Sequence, residues 1–175
     1  MSAPDWSIRL ARPVDAPALP AIERSAARAF ADDPELAFLA DADPIDEARH
    51  RRLIARGHCL VAECSGEPVG FLAAQPERRE LHIVEMSVLA GHQRRGIGDG
   101  LVRACLIDAR NAGFRAVTLT TFADVAWNAP FYARLGFETV ENLAAHPRLA
   151  AILDEEAKHG LPRERRLAMI RFLEN

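Results

Sequence analysis

Apolar positions along the 175-residue chain alternate between a spacing of two and a spacing of three to four. That marks strands and helices in succession. "SIRLARP" reads as a first strand, and Asp15 stands where it caps a helix running to about Phe30, its apolar face carried by Leu19, Ile22, Ala26 and Phe30. A second helix is predicted over roughly Ile45 to Arg56, after the acidic loop "ADDPELAFLADADP". "HCLVAECSGEPVGFLAAQP" reads as two strands joined by the tight turn Ser65-Gly66-Glu67-Pro68. In the next strand, "ELHIVEMSVL", strict alternation turns Val84, Met86 and Val88 to the core and Ile83, Glu85 and Ser87 the other way. A carboxylate therefore stands among apolar neighbours.

Beyond the glycine-rich "GHQRRGIGDG", Leu101, Val102, Cys105, Leu106 and Ala109 recur at helical spacing until Gly113 stops the helix. "RAVTLTTF" is a strand, "WNAPFYARLG" a short helix capped by Asn128 and ended by Gly136, and "FETVE" another strand. Pro147 opens a helix with the apolar stripe Leu149, Ile152 and Leu153, closed by Gly160, and "RLAMIRFL" is the final strand. No linker, repeat or low-complexity tract interrupts the order. The expectation is one domain over residues 1–175, with an inserted helix around 147–159 before the last strand.

Composition narrows the classes. A hydrophobic content of 49% and a charged content of 27% suit an ordinary globular core. A formal net charge of −3 gives no pull toward nucleic acid or an anionic membrane. No run approaches about 18 apolar residues, and the N-terminus lacks a cationic segment followed by an apolar core, so the cytoplasm is the expected compartment. Cys59, Cys64 and Cys105 form no C-x-x-C pair and read as small buried hydrophobes, while the six histidines are scattered, so no metal site is expected. A G-x-S-x-G elbow is missing as well.

The glycines Gly96, Gly98 and Gly100 at a helix start suggest a backbone that approaches phosphate. A dinucleotide fingerprint starting at Gly96 fails in register at Leu101, and a P-loop fails because Lys158 is the only lysine. What remains is Gln93-Arg94-Arg95-Gly96-Ile97-Gly98 between a strand with an outward glutamate and an amphipathic helix. Amides of Arg94 to Gly98 suit a diphosphate, with charge added by Arg94 or Arg95, whereas tight strand–helix packing is the purely structural use of the same glycines. Asp99, one residue beyond, is expected to face solvent, because a carboxylate turned inward repels phosphate.

This loop resembles the acyl-CoA pyrophosphate loop of the GNAT acetyltransferase superfamily, with the pattern Q/R-x-x-G-x-G/A. "NAPFYARLGF", about 30 residues later, is similar to that family's second motif, and the order of elements matches from about Ile8 to Val140. The resemblance implies an α/β (α+β) fold with a mixed, largely antiparallel central sheet flanked by helices. It further implies N-acetyl transfer from acetyl-CoA to a primary amine, here of a small molecule, by direct attack on the thioester.

The roles that follow are carried position by position. Glu85 is the candidate base, directly or through a water, and a carboxylate so placed is expected to have a raised pKa. The backbone of Met86, Ser87 and Val88 faces the pantetheine arm, and Gln93, Arg94, Arg95, Gly96, Ile97, Gly98 and Asp99 surround the diphosphate. Tyr132 is the candidate acid for the departing thiolate, and Asn128 caps its helix, bonds the cofactor, or does both. Two other readings stand beside this one: a catalytically silent acyl-CoA-binding module, and an acetyltransferase acting on protein N-termini or lysines. The inserted helix either walls the acceptor site or builds a homodimer contact. Asp32, Asp33, Glu35, Asp41, Asp43, Asp46 and Glu47 would draw in a cationic amine, or serve only as helix starts, and Phe38 and Trp127 would add an apolar wall if they face it.

Overall fold

Each stretch that reads as a strand is one in the computed structural model, which describes residues 5–174. The strands are β1 (Trp6–Leu10), β2 (Leu60–Cys64), β3 (Glu67–Glu77), β4 (Glu80–Val88), β5 (Ala116–Phe122), β6 (Glu138–Thr139) and β7 (Arg166–Phe172). They form a seven-stranded sheet in the order β1-β2-β3-β4-β5-β7-β6. The β1–β2, β2–β3, β5–β7 and β6–β7 ladders are antiparallel. The β4–β5 ladder is parallel and joins Glu80–His82 to Ala116–Thr118. The helices are α1 (Leu19–Ala27), α2 (Glu47–Ile54), α3 (Ile97–Asn111), α4 (Ala129–Arg134) and α5 (Pro147–Lys158). No helix among the described residues is long and apolar enough to cross a membrane.

The chain divides into two compact units. One takes in the chain up to Pro76 together with Ile83–Asp108, and the other Glu77–His82 with the chain from Ala109 onward. In the first, α1 and α2 bury Leu19, Ile22, Leu53 and Ile54 against Val61, Phe71 and Ala73 of the sheet, with Val84 of β4 at the margin. In the second, Leu149 and Leu153 of α5 pack with Ala116 of β5 and Ala168 and Ile170 of β7. The stripe of the inserted helix is thus used inside its own unit. Arg166 reinforces that unit, pairing with Glu156 at 2.9 Å and lying over the Phe122 ring.

Three local expectations are corrected. Asp15 does not cap a long helix: it sits in a 3-10 turn, Pro13–Ala18, accepts the Arg12 N–H at 2.6 Å and takes both ends of the Arg9 guanidinium. The predicted helix to Phe30 is α1 followed by a 3-10 turn, Arg28–Phe30. Asn128 makes no side-chain cap on α4, because its Oδ1 accepts the Thr121 hydroxyl at 2.7 Å instead.

A fourth correction concerns β4. Val84 packs against the α1/α2 cluster, whereas the Val88 side chain crowds the position a Cβ on Gly70 would take, beside Ile97 of α3. Residues four apart on a regular strand share a face. Val84 and Val88 do not, so the alternation breaks between them. Ile83, Ser87 and Val88 are buried, while Val84 and Met86 are half-buried, which is not the predicted division.

Candidate functional site

After β4 the chain is pinned by the Leu89 N–H, which donates to the Val69 carbonyl at 2.9 Å. A 3-10 turn, Ala90–His92, leads into the glycine-rich stretch. Arg94 and Gly96 then take φ of +58° and +82°, the left-handed region, on either side of Arg95. Such turns aim successive amides into a concavity that suits an anion. Immediately beyond, the 15-residue α3 begins, and the first turn of a helix leaves its amides without intrahelical acceptors and carries the positive dipole end.

The side chains of this loop divide sharply. Gln93 turns back, its Nε2 donating to the Val88 carbonyl at 3.1 Å, so it braces the loop on β4. Arg95 is held by Asp5, and its carbonyl accepts the Trp6 indole N–H at 3.2 Å. Arg94 is exposed, and no described residue pairs with its guanidinium. Asp99 faces solvent, 45% exposed and paired with Arg103 at 2.6 Å. Gly100 serves packing: a Cβ there would stand 2.9 Å from the Trp6 ring and 3.0 Å from Ile8. Phosphate-type chemistry fits the rest, namely helix-start amides, a bare Cα at Gly96 and an uncommitted guanidinium at Arg94.

In the same unit, Glu85 accepts the Ser87 hydroxyl at 2.9 Å. Its charge acts on Glu23 of α1, a residue that the sequence reading leaves out. Burial first, and the Glu85 charge second, push the Glu23 carboxyl up to about 8. Arg49 and Arg24 oppose the shift from a distance, and the Ile45 N–H donates to Glu23 Oε2 at 3.0 Å. Behind Glu23 lies His50, fully buried, its Nε2 3.9 Å from Glu23 Oε2 and its ring edge-on to Phe71. Burial lowers the His50 pKa, so the imidazole is neutral near pH 7. A signal for Glu23 exists in the sequence: Leu19, Ile22, Glu23 and Ala26 follow the i, i+3, i+4, i+7 spacing of one helix face.

Tyr132 and Asn128 belong to the second unit. Tyr132 is buried, with Phe131 and Phe137 edge-on to it at 5.1 and 5.7 Å between ring centroids. Thr121 on β5 holds Asn128 by its Oδ1, which leaves the side-chain NH2 to donate. In the acidic stretch, Asp46 caps α2 by accepting the Arg49 N–H, Asp33 accepts the Glu35 N–H, and Glu47 pairs with Arg51. Asp32, Asp41 and Asp43 remain exposed, as do Phe38 and Trp127.

Comparison with known proteins agrees with this fold. The chain is 32% identical over 119 residues to N-acetyltransferase 8F1 of Mus musculus, a match covering 63% of this chain and 54% of the relative. It is 36% identical over 89 residues to an uncharacterized N-acetyltransferase of Methanocaldococcus jannaschii, covering 47% of this chain and 39% of that one. The chain spans about half the length, or less, of these curated relatives. Among solved structures, the PaiA N-acetyltransferase of Thermoplasma acidophilum in complex with coenzyme A superposes with a TM-score of 0.69 at 13% identity, over 98% of this chain and 99% of that one. A GNAT family acetyltransferase of Brucella melitensis in complex with acetyl-CoA superposes with a TM-score of 0.54 at 27% identity, over 76% and 82%. The profile of the acetyltransferase (GNAT) family matches residues 22–137, more than half of the sequence, and the chain belongs to that family.

Proposed function

We propose that this chain is an N-acetyltransferase that moves an acetyl group from acetyl-CoA to the primary amine of a small molecule. The observation that carries the reading is the pair of left-handed residues, Arg94 and Gly96, set directly before the first turn of α3. Acetyl-CoA supplies the activated thioester. Amides from Arg94 to Gly98 bind its diphosphate, Arg94 adds charge, and the backbone of Met86, Ser87 and Val88, beyond the end of the β4–β5 ladder, lines the pantetheine arm. Arg95 and Gln93 hold the loop in shape through Asp5 and Val88.

Glu85 accepts the proton of the attacking amine, and the Ser87 hydroxyl holds its carboxylate oriented for that task. Tyr132 donates to the departing sulfur, a role open to a phenol O–H. The Asn128 NH2 contributes a hydrogen bond to the cofactor. Exposed Asp32, Asp41 and Asp43 favour a cationic acceptor over a neutral one by long-range attraction. The experiment is an amine panel with detection of free thiol. Transfer to small amines at rates well above thioester hydrolysis is the expected result. Thiol release with peptide N-termini or lysines alone would move the assignment to protein acetylation, and tight acetyl-CoA binding without any transfer would favour a silent sensor.

A further inference from the structure

We propose that Glu23 is the second carboxylate of the acceptor site, acting with Glu85 as a pair that docks one ammonium group, an assignment that rests on reading the chain as an amine acetyltransferase. Geometry comes first. α1 lies along β4: Ile22 and Val84, the neighbours of the two glutamates, share one core cluster, and the Ser25 hydroxyl of α1 accepts the Ala90 N–H just beyond β4. The break in β4 alternation therefore matters, because strict alternation would set Glu85 on the face opposite to Val84.

The groups around Glu23 leave it without a cation in contact. The Ile45 amide and the His50 ring approach it, and among the described residues no arginine or lysine comes within ion-pair distance. Arg24 and Arg49 act on it only through space, and Asp46 acts on His50. His50 is fully buried, neutral near pH 7, and neither ring nitrogen has a hydrogen-bond partner. A half-buried carboxyl that feels the charge of a second carboxylate, backed by an imidazole with no charge to offer, is complementary to one small cation.

The proton balance follows. With Glu23 titrating at about 8, the carboxyl holds a proton near pH 7 beside Glu85. An ammonium group entering between them favours the ionised form and releases that proton to solvent. The docked ammonium then loses its own proton to a Glu85 oxygen: the N–H bond breaks, its electron pair stays on nitrogen as the nucleophilic lone pair, and the carboxylate becomes a carboxylic acid.

The test reads protons rather than turnover. Calorimetry with n-butylamine and 1,4-diaminobutane, in two buffers of different ionisation enthalpy at pH 7, counts the protons released on binding to the chain without acetyl-CoA. Wild type is expected to release close to one proton per amine, and Glu23→Gln none, with amine affinity about tenfold weaker and acetyl-CoA affinity unchanged. Carboxyl NMR of the ligand-free chain provides a readout independent of that variant's folding: the Glu23 resonance titrates near pH 8 and moves to lower pH in Glu85→Gln. Equal amine affinity and equal proton release in wild type and Glu23→Gln would overturn the pair, as would a Glu23 resonance titrating with the solvent-exposed carboxylates. Failure of the parent reading shows elsewhere, as no thiol release with any amine, so the two outcomes are told apart.

Discussion

The stretch from Gln93 to Gly98 lies at the surface, and its chemistry belongs to a few consecutive residues: two left-handed φ angles, a bare Cα and the start of a helix. Glu23 lies on α1, with Ile45, His50 and Glu85 around it drawn from a loop, a second helix and a strand. The loop keeps its polar groups in water until a ligand arrives, so its affinity is modular. At Glu23 desolvation is already built in, and it moves the titration by several pH units. On the proposed reading one region holds the cofactor and the other handles a proton, so substitutions in the two should separate affinity from turnover.

The largest effect is expected at Glu85. Glu85→Gln keeps an oxygen to accept the Ser87 hydroxyl, so the strand should be undisturbed while the proposed base is lost. Turnover should fall about 100-fold, within the range for removal of a general base, with acetyl-CoA affinity unchanged. Steady-state kinetics beside calorimetry checks this. A parallel loss of affinity would mean that the strand, not the base, had been damaged.

The loop should answer in the opposite way. Gly96 holds φ at +82°, so Gly96→Val forces a β-branched residue into the left-handed region, its Cβ 3.8 Å from the Trp6 ring, and shifts the loop amides. Acetyl-CoA should bind roughly 30-fold more weakly, as about 2 kcal/mol of strain and lost amide contacts translate into affinity. Turnover at saturating cofactor should change far less. An unaltered dissociation constant in a folded Gly96→Val chain would remove the phosphate assignment.

How much of each region was legible follows the same division. The loop's backbone could be read because its signal is local; of the expected turn Ser65-Gly66-Glu67-Pro68, only Ser65 and Gly66 turn, since Cys64 and Glu67 pair across them and Glu67 and Pro68 open β3. The apolar stripe of α3 was legible too, since Leu101, Val102, Cys105, Leu106 and Ala109 are all buried at the predicted spacing. Other details are decided by partners distant in sequence. Asp15 has the chemistry of a cap, but Arg9 on the neighbouring strand claims it. Asn128 likewise has a cap's chemistry, yet Thr121 offers its hydroxyl from β5. β4 breaks its alternation where no glycine or proline announces it. Glu23 stood on the apolar face of α1 in plain view, but its meaning needed Glu85 beside it.

A smaller effect, on stability, sharpens the contrast further. Folded Glu23 titrates at about 8 against 4.5 for an ordinary glutamate, so between those values the folded chain binds more protons than the unfolded one. Stability contributed at this site therefore falls as pH rises through that window. Glu23→Gln can keep the acceptor for the Ile45 amide and has no proton to lose. Its melting temperature should match wild type near pH 4.5 and exceed it by roughly 5 °C at pH 8.5. A difference independent of pH would show that the carboxyl is solvated after all.

The smallest effect tests the loop's edge. Asp99 is the one carboxylate inside the first turn of α3, where a negative charge favours the helix but opposes phosphate. Its side chain is half in solvent and tied to Arg103 one turn along the helix, itself 62% exposed. Solvent screening and the neighbouring guanidinium both reduce what Asp99 can exert on a bound diphosphate. Asp99→Asn should therefore tighten acetyl-CoA by less than about twofold at low salt, and that gain should vanish as added salt screens it. Calorimetry at two ionic strengths decides it. A gain of tenfold or more that survives salt would mean that Asp99 turns toward the phosphate, and the anion cradle would then have to be redrawn around Gly98 rather than Gly96.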